Sequence, residues 1–404
     1  MQWLHYIAVA AIALQLLFLY NAYRNYRYVL AKQKRRIGVF TPRAALIVPC
    51  KGLDADFDRN IASFFAQDYD DYILCFVVGD ASDPAYAALT ELKARRAADS
   101  KAKAVRILVA GTATSSSQKV HNLLHCYRTI GDDVEVMAFA DSDACVQTDW
   151  LRRLVWPLRL EKHGASTGYR WFVPNTNTIP TLALSALNAA VAQMLGNTPL
   201  NLIWGGSMAI TVRNFRRFGL DKAWQTALSD DLSVSRAVKT AGKKVVFVPP
   251  CLVASYETTT WAKLFEFARR QFVITRVVTP GTWLAGLLCS LGSVLGLWGG
   301  VALAVYTAYA GLERQWLFVA VPVVFFAGQF VRAALRQHMI AQVLKNDLPR
   351  MKYAKLADLL GFWIWSILLL CILVSSAFGR TIRWRGIRYR LLGPTETVVE
   401  GPEK

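Results

Sequence analysis

Long apolar runs gather at the two ends of the chain, and short apolar runs alternate with mixed stretches between them. The first long run extends from about Trp3 to Tyr20, close to the roughly 17 residues needed to cross a bilayer. Tyrosines (Tyr20, Tyr23, Tyr26, Tyr28) and basic residues (Arg24, Arg27, Lys32, Lys34, Arg35, Arg36) fill the junction after it. A cleaved signal peptide would carry its charge before the apolar run. Residues 1–23 are therefore expected to form an uncleaved transmembrane anchor whose C-terminal side faces the cytosol.

From Ala44 to about Pro280 the period changes. Ala44–Val48, Ile73–Val78, Val136–Ala140 and Val245–Val248 are short apolar runs bounded by turn residues, which predicts strands. Helical stretches such as Ala85–Ala98 separate them. Strands alternating with helices imply an α/β fold with a mostly parallel, Rossmann-like sheet over 44–280. Such sheets bind ligands outside the carboxyl ends of their strands. Leu182–Leu195 is apolar on most faces but shorter than a span. It is expected to be a buried core helix, with an interfacial helix that receives a lipid as the functional alternative.

Residues 281–380 are membrane-like again, with candidate spans at Trp283–Ala310, Trp316–Val331 and Leu356–Phe378. Arg332–Lys355 reads as a basic amphipathic connector, and 381–404 as a basic and then polar tail. Four spans starting outside would leave Arg380–Arg390 outside, against the positive-inside rule. Either one candidate does not cross or the tail breaks the rule.

Composition narrows this picture. A chain of 404 residues accommodates one large soluble domain plus several membrane segments. A hydrophobic content of 54% and a mean hydropathy of +0.27 suit a multi-pass integral membrane enzyme. The net charge of +19 sits largely beside the apolar segments, which favours a bilayer surface over nucleic acid. The seven cysteines are scattered and form no CxxC pair, so no disulfide framework is expected and a reducing compartment is the simpler reading. The pattern fixes no oligomeric state.

The chemistry lies in three acidic motifs. Asp141-Ser142-Asp143 follows the apolar strand Val136–Ala140. Two carboxylates on one turn suit a hard cation, Mg2+ or Mn2+, shared with substrate phosphates. Asp80, in Gly79-Asp80-Ala81-Ser82-Asp83, also stands at a strand end, where a carboxylate can accept hydrogen bonds from a base or ribose; Asp83 fits a helix cap before Pro84 better. Asp230 and Asp231 open a helix after Ser229. Two acids exceed what a cap needs, so one is a candidate general base. Lys51 and Lys119 are candidate phosphate contacts.

Read together, these segments resemble the GT-A glycosyltransferases of families 2 and 21, the ceramide glucosyltransferases in particular. Pro49–Asp54 matches a Pro-Leu-Lys-Gly-Val-Asp motif with changes at Cys50 and Leu53, and Asp80–Ala85 matches Asp-x-x-Asp-Pro-Ala. Gln118–Leu123 is similar to Pro-Lys-x-Asn-Asn-Leu, Asp141–Asp143 to Asp-Ser-Asp, Asp230–Asp231 to a Glu-Asp pair, and Trp384–Gly386 to Trp-Arg-Gly. The resemblance implies a GT-A fold with flanking transmembrane helices. It implies that Asp80 binds the nucleoside, that Asp143 ligates the metal with Asp141 assisting, and that Asp231 is the catalytic base. In the family's Gln-x-x-Arg-Trp motif Gln271 fits, but the Arg-Trp is missing and Val273-Ile274 stands in the stretch; Arg269, Arg270 and Arg276 are the nearby candidates to replace it.

The implied activity is inverting transfer of one sugar, glucose from UDP-glucose, to a lipid hydroxyl such as that of ceramide at the cytosolic face. Two other readings are a processive polysaccharide synthase and a non-enzymatic membrane scaffold with a degenerate transferase domain. The partners expected are a UDP-sugar, a membrane lipid acceptor and the bilayer, with no nucleic acid.

Overall fold

The computed structural model describes residues 3–54 and 56–402. Seven strands form the central sheet: β1 (Ala44–Pro49), β2 (Tyr72–Val78), β3 (Ala104–Val109), β4 (Val136–Ala140), β5 (His163–Pro174), β6 (Ser207–Thr211) and β7 (Lys244–Glu257). Their order is β3-β2-β1-β4-β6-β5-β7, and β6 alone runs against its neighbours. The expected α/β, mostly parallel arrangement is therefore present. β1, β2 and β4 read as unbroken apolar runs because helices cover both faces.

Alternation sorts the side chains between those faces. Leu46, Val48, Leu74, Phe76 and Ala138 pack on one side with Phe64, Leu89 and Trp150. Ala45, Ile47, Ile73, Met137 and Phe139 pack on the other with Leu123, Phe215 and Val234. The strand order reverses between β1 and β4, so their carboxyl ends diverge into a crevice. The sequence pattern missed β3, β5 and β6. Polar residues break each apolar run: Arg106 in β3, Ser207 and Thr211 at the ends of β6, and Ser166, Thr167 and Arg170 in β5.

β5 and β7 run on past the sheet and join it to the membrane helices. Trp171, Val173, Phe247, Leu252 and Ala254 share a core with Val29, Met339, Ile340 and Met351. Among the described residues, four helices are long and apolar enough to cross a membrane: Trp3–Gln33, Pro280–Tyr309, Gln315–Val343 and Lys352–Ser375. The first and third pack parallel, with His5 on Phe318 near their starts and Tyr26 on His338 near their ends. The second contains a π-helical turn at Leu295–Gly299, where a Cβ on Gly296 would collide with the Phe325 ring. The third runs through Val343 rather than stopping at Val331. The first half of the expected connector continues that helix to Val343, and within it Arg336, buried, forms an ion pair with the equally buried Asp358.

The segments before and after the fourth of these helices are both tied to elements packed on the α/β unit. Just before it, Asp347 accepts a 2.6 Å hydrogen bond from Tyr256 of β7. Just after it, the carbonyls of Ala377 and Gly379 accept from Arg276, and that of Phe378 from Arg269 at 2.7 Å. Both arginines belong to the helix Trp261–Val278, which packs through Val273, Ile274 and Val278 on Leu228 and Leu232 of the catalytic unit. Two of the three arginines expected to replace the missing Arg-Trp are thus helix caps.

The basic stretch after 380 folds as an antiparallel sheet of β8 (Thr381–Trp384), β9 (Ile387–Leu391) and β10 (Thr397–Pro402). Arg385 and Gly386, both at positive φ (46° and 77°), make the two-residue turn between β8 and β9. Ile382, Tyr389 and Leu391 seat this sheet on Leu228, Leu232, Val273 and Ile274. Val273 and Ile274, which stand where the expected Arg-Trp is missing, belong to that apolar joint.

Candidate active site

The end of β4 turns at once into Asp141-Ser142-Asp143, closed by the Ala144 N–H donating to the Asp141 carbonyl at 3.1 Å. Across the crevice, Ser117 caps the helix Gln118–Thr129 by accepting from Val120 N–H at 3.2 Å. That cap aims Lys119 inward. Its ammonium lies 2.7 Å from Asp141 Oδ1 and 3.0 Å from Asp230 Oδ2. Burial would lower the Lys119 pKa, but Asp141, Asp230 and Asp231 outweigh it and hold the ammonium well above its ordinary range. Burial opposes ionisation of Asp141 too, yet Lys119, Arg170 and Arg385 keep it below the usual carboxylate range.

The neighbouring acids behave differently. Burial and then the charge of Asp141 push Asp143 up to about 6. Burial also pushes Asp230 up to about 6, against the pull of Lys119. Asp231 does not meet Lys119. Its Oδ2 accepts from Gly205 N–H at 3.0 Å and its Oδ1 from the Ser229 hydroxyl and Leu232 N–H. Ser229 is also the helix cap anticipated from sequence, accepting from Leu232 N–H at 3.1 Å.

Gly205-Gly206, in the turn before β6, threads between these acids. A Cβ on Gly205 would stand 2.3 Å from Asp230 Oδ2, and one on Gly206 2.6 Å from Asp141 Oδ2. Only residues without side chains bring the peptide this close. The adjacent glycines were legible as a turn, but their task was not.

The other expected residues lie around the rim. Asp80 is exposed at the end of β2 and accepts from Ser82 N–H at 2.8 Å, which holds its carboxyl below the usual range. Asp83 caps the next helix through Ala85 N–H at 2.9 Å and also accepts from Gly52 N–H at 2.8 Å. Lys51 donates to the Arg385 carbonyl at 3.1 Å, and Arg385 returns a 2.6 Å bond to the Lys51 carbonyl. Gln271 is half-buried on the helix Trp261–Val278, its carbonyl accepting from Thr275 at 2.8 Å.

Three arginines stand near the acids: Arg170 goes unread in the sequence, Arg385 is read only within the Trp384–Gly386 match and the basic tail, and Arg270 is one of the three candidates to replace Arg-Trp. Arg385 also donates to Asp54 at 3.1 Å, and Asp54 accepts from Ser142 at 2.7 Å. Arg170 of β5 lies over Trp204 and Phe172, each at 5.1 Å. Arg270 lies between Phe267 and Trp384 and donates to the Arg383 carbonyl at 3.2 Å. Burial, then Arg170 and Arg385, push Arg270 down to about 10. Arg170 and Arg385 act on the Asp141–Asp143 turn, and Arg270 stands beside both of them, an arrangement that attracts a polyanion.

Asp143 Oδ1 is shielded from solvent and has no hydrogen-bond partner in the protein. Among the described residues no three His, Cys, Asp or Glu side chains gather as a metal cage. A pair of carboxylates fits a cation whose remaining ligands are phosphate oxygens and water.

None of the curated proteins compared matches the chain. Among solved structures, the mannosyltransferase PcManGT from Pyrobaculum calidifontis, in complex with GDP-Man and Mn2+, is similar over 92% of this chain and 97% of its own. Identity is 15% and the TM-score 0.44. The model of glycosyl transferase family 21 matches residues 3–396. The chain belongs to that family of glycosyltransferases.

Proposed function

We propose that this glycosyltransferase moves a single sugar from a UDP-sugar, glucose in the first instance, to the hydroxyl of a membrane lipid such as ceramide, inverting the anomeric centre. One observation carries the reading: the Gly205-Gly206 peptide lies between Asp141 on one side and Asp231 on the other, so that a cation-binding turn and a candidate base share one narrow space. Asp143 and Asp141 would hold Mg2+ or Mn2+, which would neutralise charge developing on the diphosphate. Arg385, Arg170 and Arg270 supply further positive charge toward that group, in place of the absent Arg-Trp. Asp80 and Lys51 border the donor side, and Gln271 borders the acceptor side.

In the transfer step the lipid hydroxyl gives its proton to Asp231. The freed oxygen attacks C1 of the sugar from the face opposite the diphosphate. The C1–O bond to the diphosphate breaks, its electrons leave with UDP, and the configuration inverts. Asp230, tied to Lys119, positions rather than abstracts. The acceptor's approach is supported by three helices that pack together beside the site. Ile179–Ala192 supplies Ala183, Leu184 and Leu187, the helix Trp261–Val278 supplies Leu264 and Ala268, and the last long helix supplies Ile372.

The same reading has the catalytic unit in the cytoplasm. The basic residues after the first helix and the Arg380–Arg390 stretch both lie on its side, as expected for cytosolic charge. On this reading three helices cross, while Lys352–Ser375 lies along the cytosolic interface with both ends on that face, which would keep the arginine-rich tail inside.

The test is mass spectrometry of lipids from membranes containing the full chain, supplied with a panel of UDP-sugars. A lipid heavier by one hexose, formed only with divalent metal, is the expected product. A ladder of hexoses overturns single transfer, and no product with any donor and lipid overturns the assignment.

A further inference from the structure

A second charged cavity lies away from the acids, where the first helix meets the catalytic unit. It holds about 280 Å³ and is floored by the main chain of Phe247–Pro250. Lys32 and Arg35 line it from the first helix and its exit, and Arg153, Arg159 and Lys162 from the segment leading into β5. No carboxylate lines it. Arg153 pairs with Asp149. Lys32, Arg35, Arg159 and Lys162 have no carboxylate partner among the described residues.

These cations are held together rather than spread apart. The Arg35 and Arg159 guanidinium groups both lie over the Trp156 ring, at 4.8 Å and 3.2 Å. An aromatic platform fixes the two planar forks; Arg159 Nη1 donates to the Trp156 carbonyl at 2.9 Å, and other N–H donors of the pair remain for an anion. Tyr28 anchors the helix end by donating to the Phe247 carbonyl at 2.8 Å. Uncompensated cations crowded in one recess repel one another, as the lowering of Arg159 by burial and then by Arg35 reflects. A bound anion relieves that repulsion.

We propose that this cavity binds the phosphate of an anionic ligand, and its position favours the headgroup of an anionic phospholipid. Tyr23 is the last exposed large aromatic on the first helix. Lys32 follows nine residues later, about 13 Å along the axis, a distance covered by the headgroup layer and the reach of a basic side chain. Basic recesses at the ends of membrane helices suit phosphate headgroups. Nothing in the transfer chemistry uses these residues.

The experiment places the full chain in nanodiscs of phosphatidylcholine alone, or of phosphatidylcholine with phosphatidylglycerol, and follows amide hydrogen exchange at 28–37 and 153–163. Phosphatidylglycerol is expected to slow exchange there. In Arg35→Gln/Arg159→Gln the apparent affinity for that lipid should fall about 30-fold, from roughly fivefold per basic residue. Removing equal charge with Lys93→Gln/Arg96→Gln should leave it intact. Protection by inorganic phosphate in phosphatidylcholine nanodiscs would keep the anion site and make its source soluble. Protection by neither, or equal protection in the double variant, overturns the proposal. Arg159→Gln alone, at an exposed position, serves if the double variant does not fold.

Discussion

Lys119 and Asp230 form a 3.0 Å ion pair in the wall of the site, and this pair separates the roles of two adjacent acids. Asp230 is committed to the lysine, whereas Asp231 is held by peptide N–H groups and a hydroxyl. Asp231→Asn should lower transfer by about 10²- to 10⁴-fold while UDP binding persists. Asp230→Asn should instead lower thermal stability, by about 3 kcal/mol for a broken buried pair. Activity assays and melting curves on the two purified variants separate these outcomes. An active Asp231→Asn enzyme would sink the assignment of the base.

Asp143 gives a pH signature in metal-free protein. Its folded pKa is about 6 against an ordinary 3.8, so the folded state holds this proton more tightly than the unfolded state. The resulting penalty is absent below about pH 4, grows between about pH 4 and 6, and is full above that, on the order of 2 to 3 kcal/mol. Asp143→Asn should therefore melt higher than the parent near neutral pH, and the gain should vanish toward pH 4. Mn2+ should stabilise the parent and leave the variant unmoved. Melting curves across pH, with and without the ion, check both statements.

Arg385 offers a test of the C-terminal turn. Asparagine tolerates the positive φ that this position requires, so Arg385→Asn keeps the hairpin and removes only the guanidinium. UDP affinity should fall about tenfold or more for the loss of a charge-assisted contact. Titration calorimetry with UDP measures it, and unchanged affinity would show that Arg385 does not face the donor.

Gly205→Ala tests the narrow space. Its Cβ would meet Asp230 Oδ2 at 2.3 Å and Lys119 Nζ at 2.8 Å, forcing the lysine bridge apart. A displacement of about 1 Å costs on the order of 100-fold in rate. The turnover number should fall by that order while the far-ultraviolet circular dichroism stays the same.

The parts of this molecule legible in sequence are those fixed by local pattern. β1, β2 and β4 announced themselves as apolar runs, and Asp141-Ser142-Asp143 could be placed at a strand end because the strand before it was plain. Ser229 and Asp83 were readable as caps from their neighbours alone. What stayed hidden depends on contacts far apart in the chain. The bond between Lys51 and Arg385 joins residues 334 positions apart, and no periodicity carries that information. β5 escaped notice because Arg170, a residue of the site, interrupts its apolar pattern. The third long helix outran its hydropathy, and within that extension Asp358, on another helix, compensates Arg336.

The Arg385 turn comes after every membrane helix in chain order, yet it closes against Lys51 and Asp54 at the beginning of the catalytic unit. During synthesis the sheet, the acids and Lys119 can all assemble while this piece is still inside the ribosome. The donor site becomes whole only when the last long helix has been delivered to the bilayer and the hairpin has folded back. In chain order, then, Lys51 and Asp54 wait for their Arg385 contacts until everything between them and the hairpin has been made.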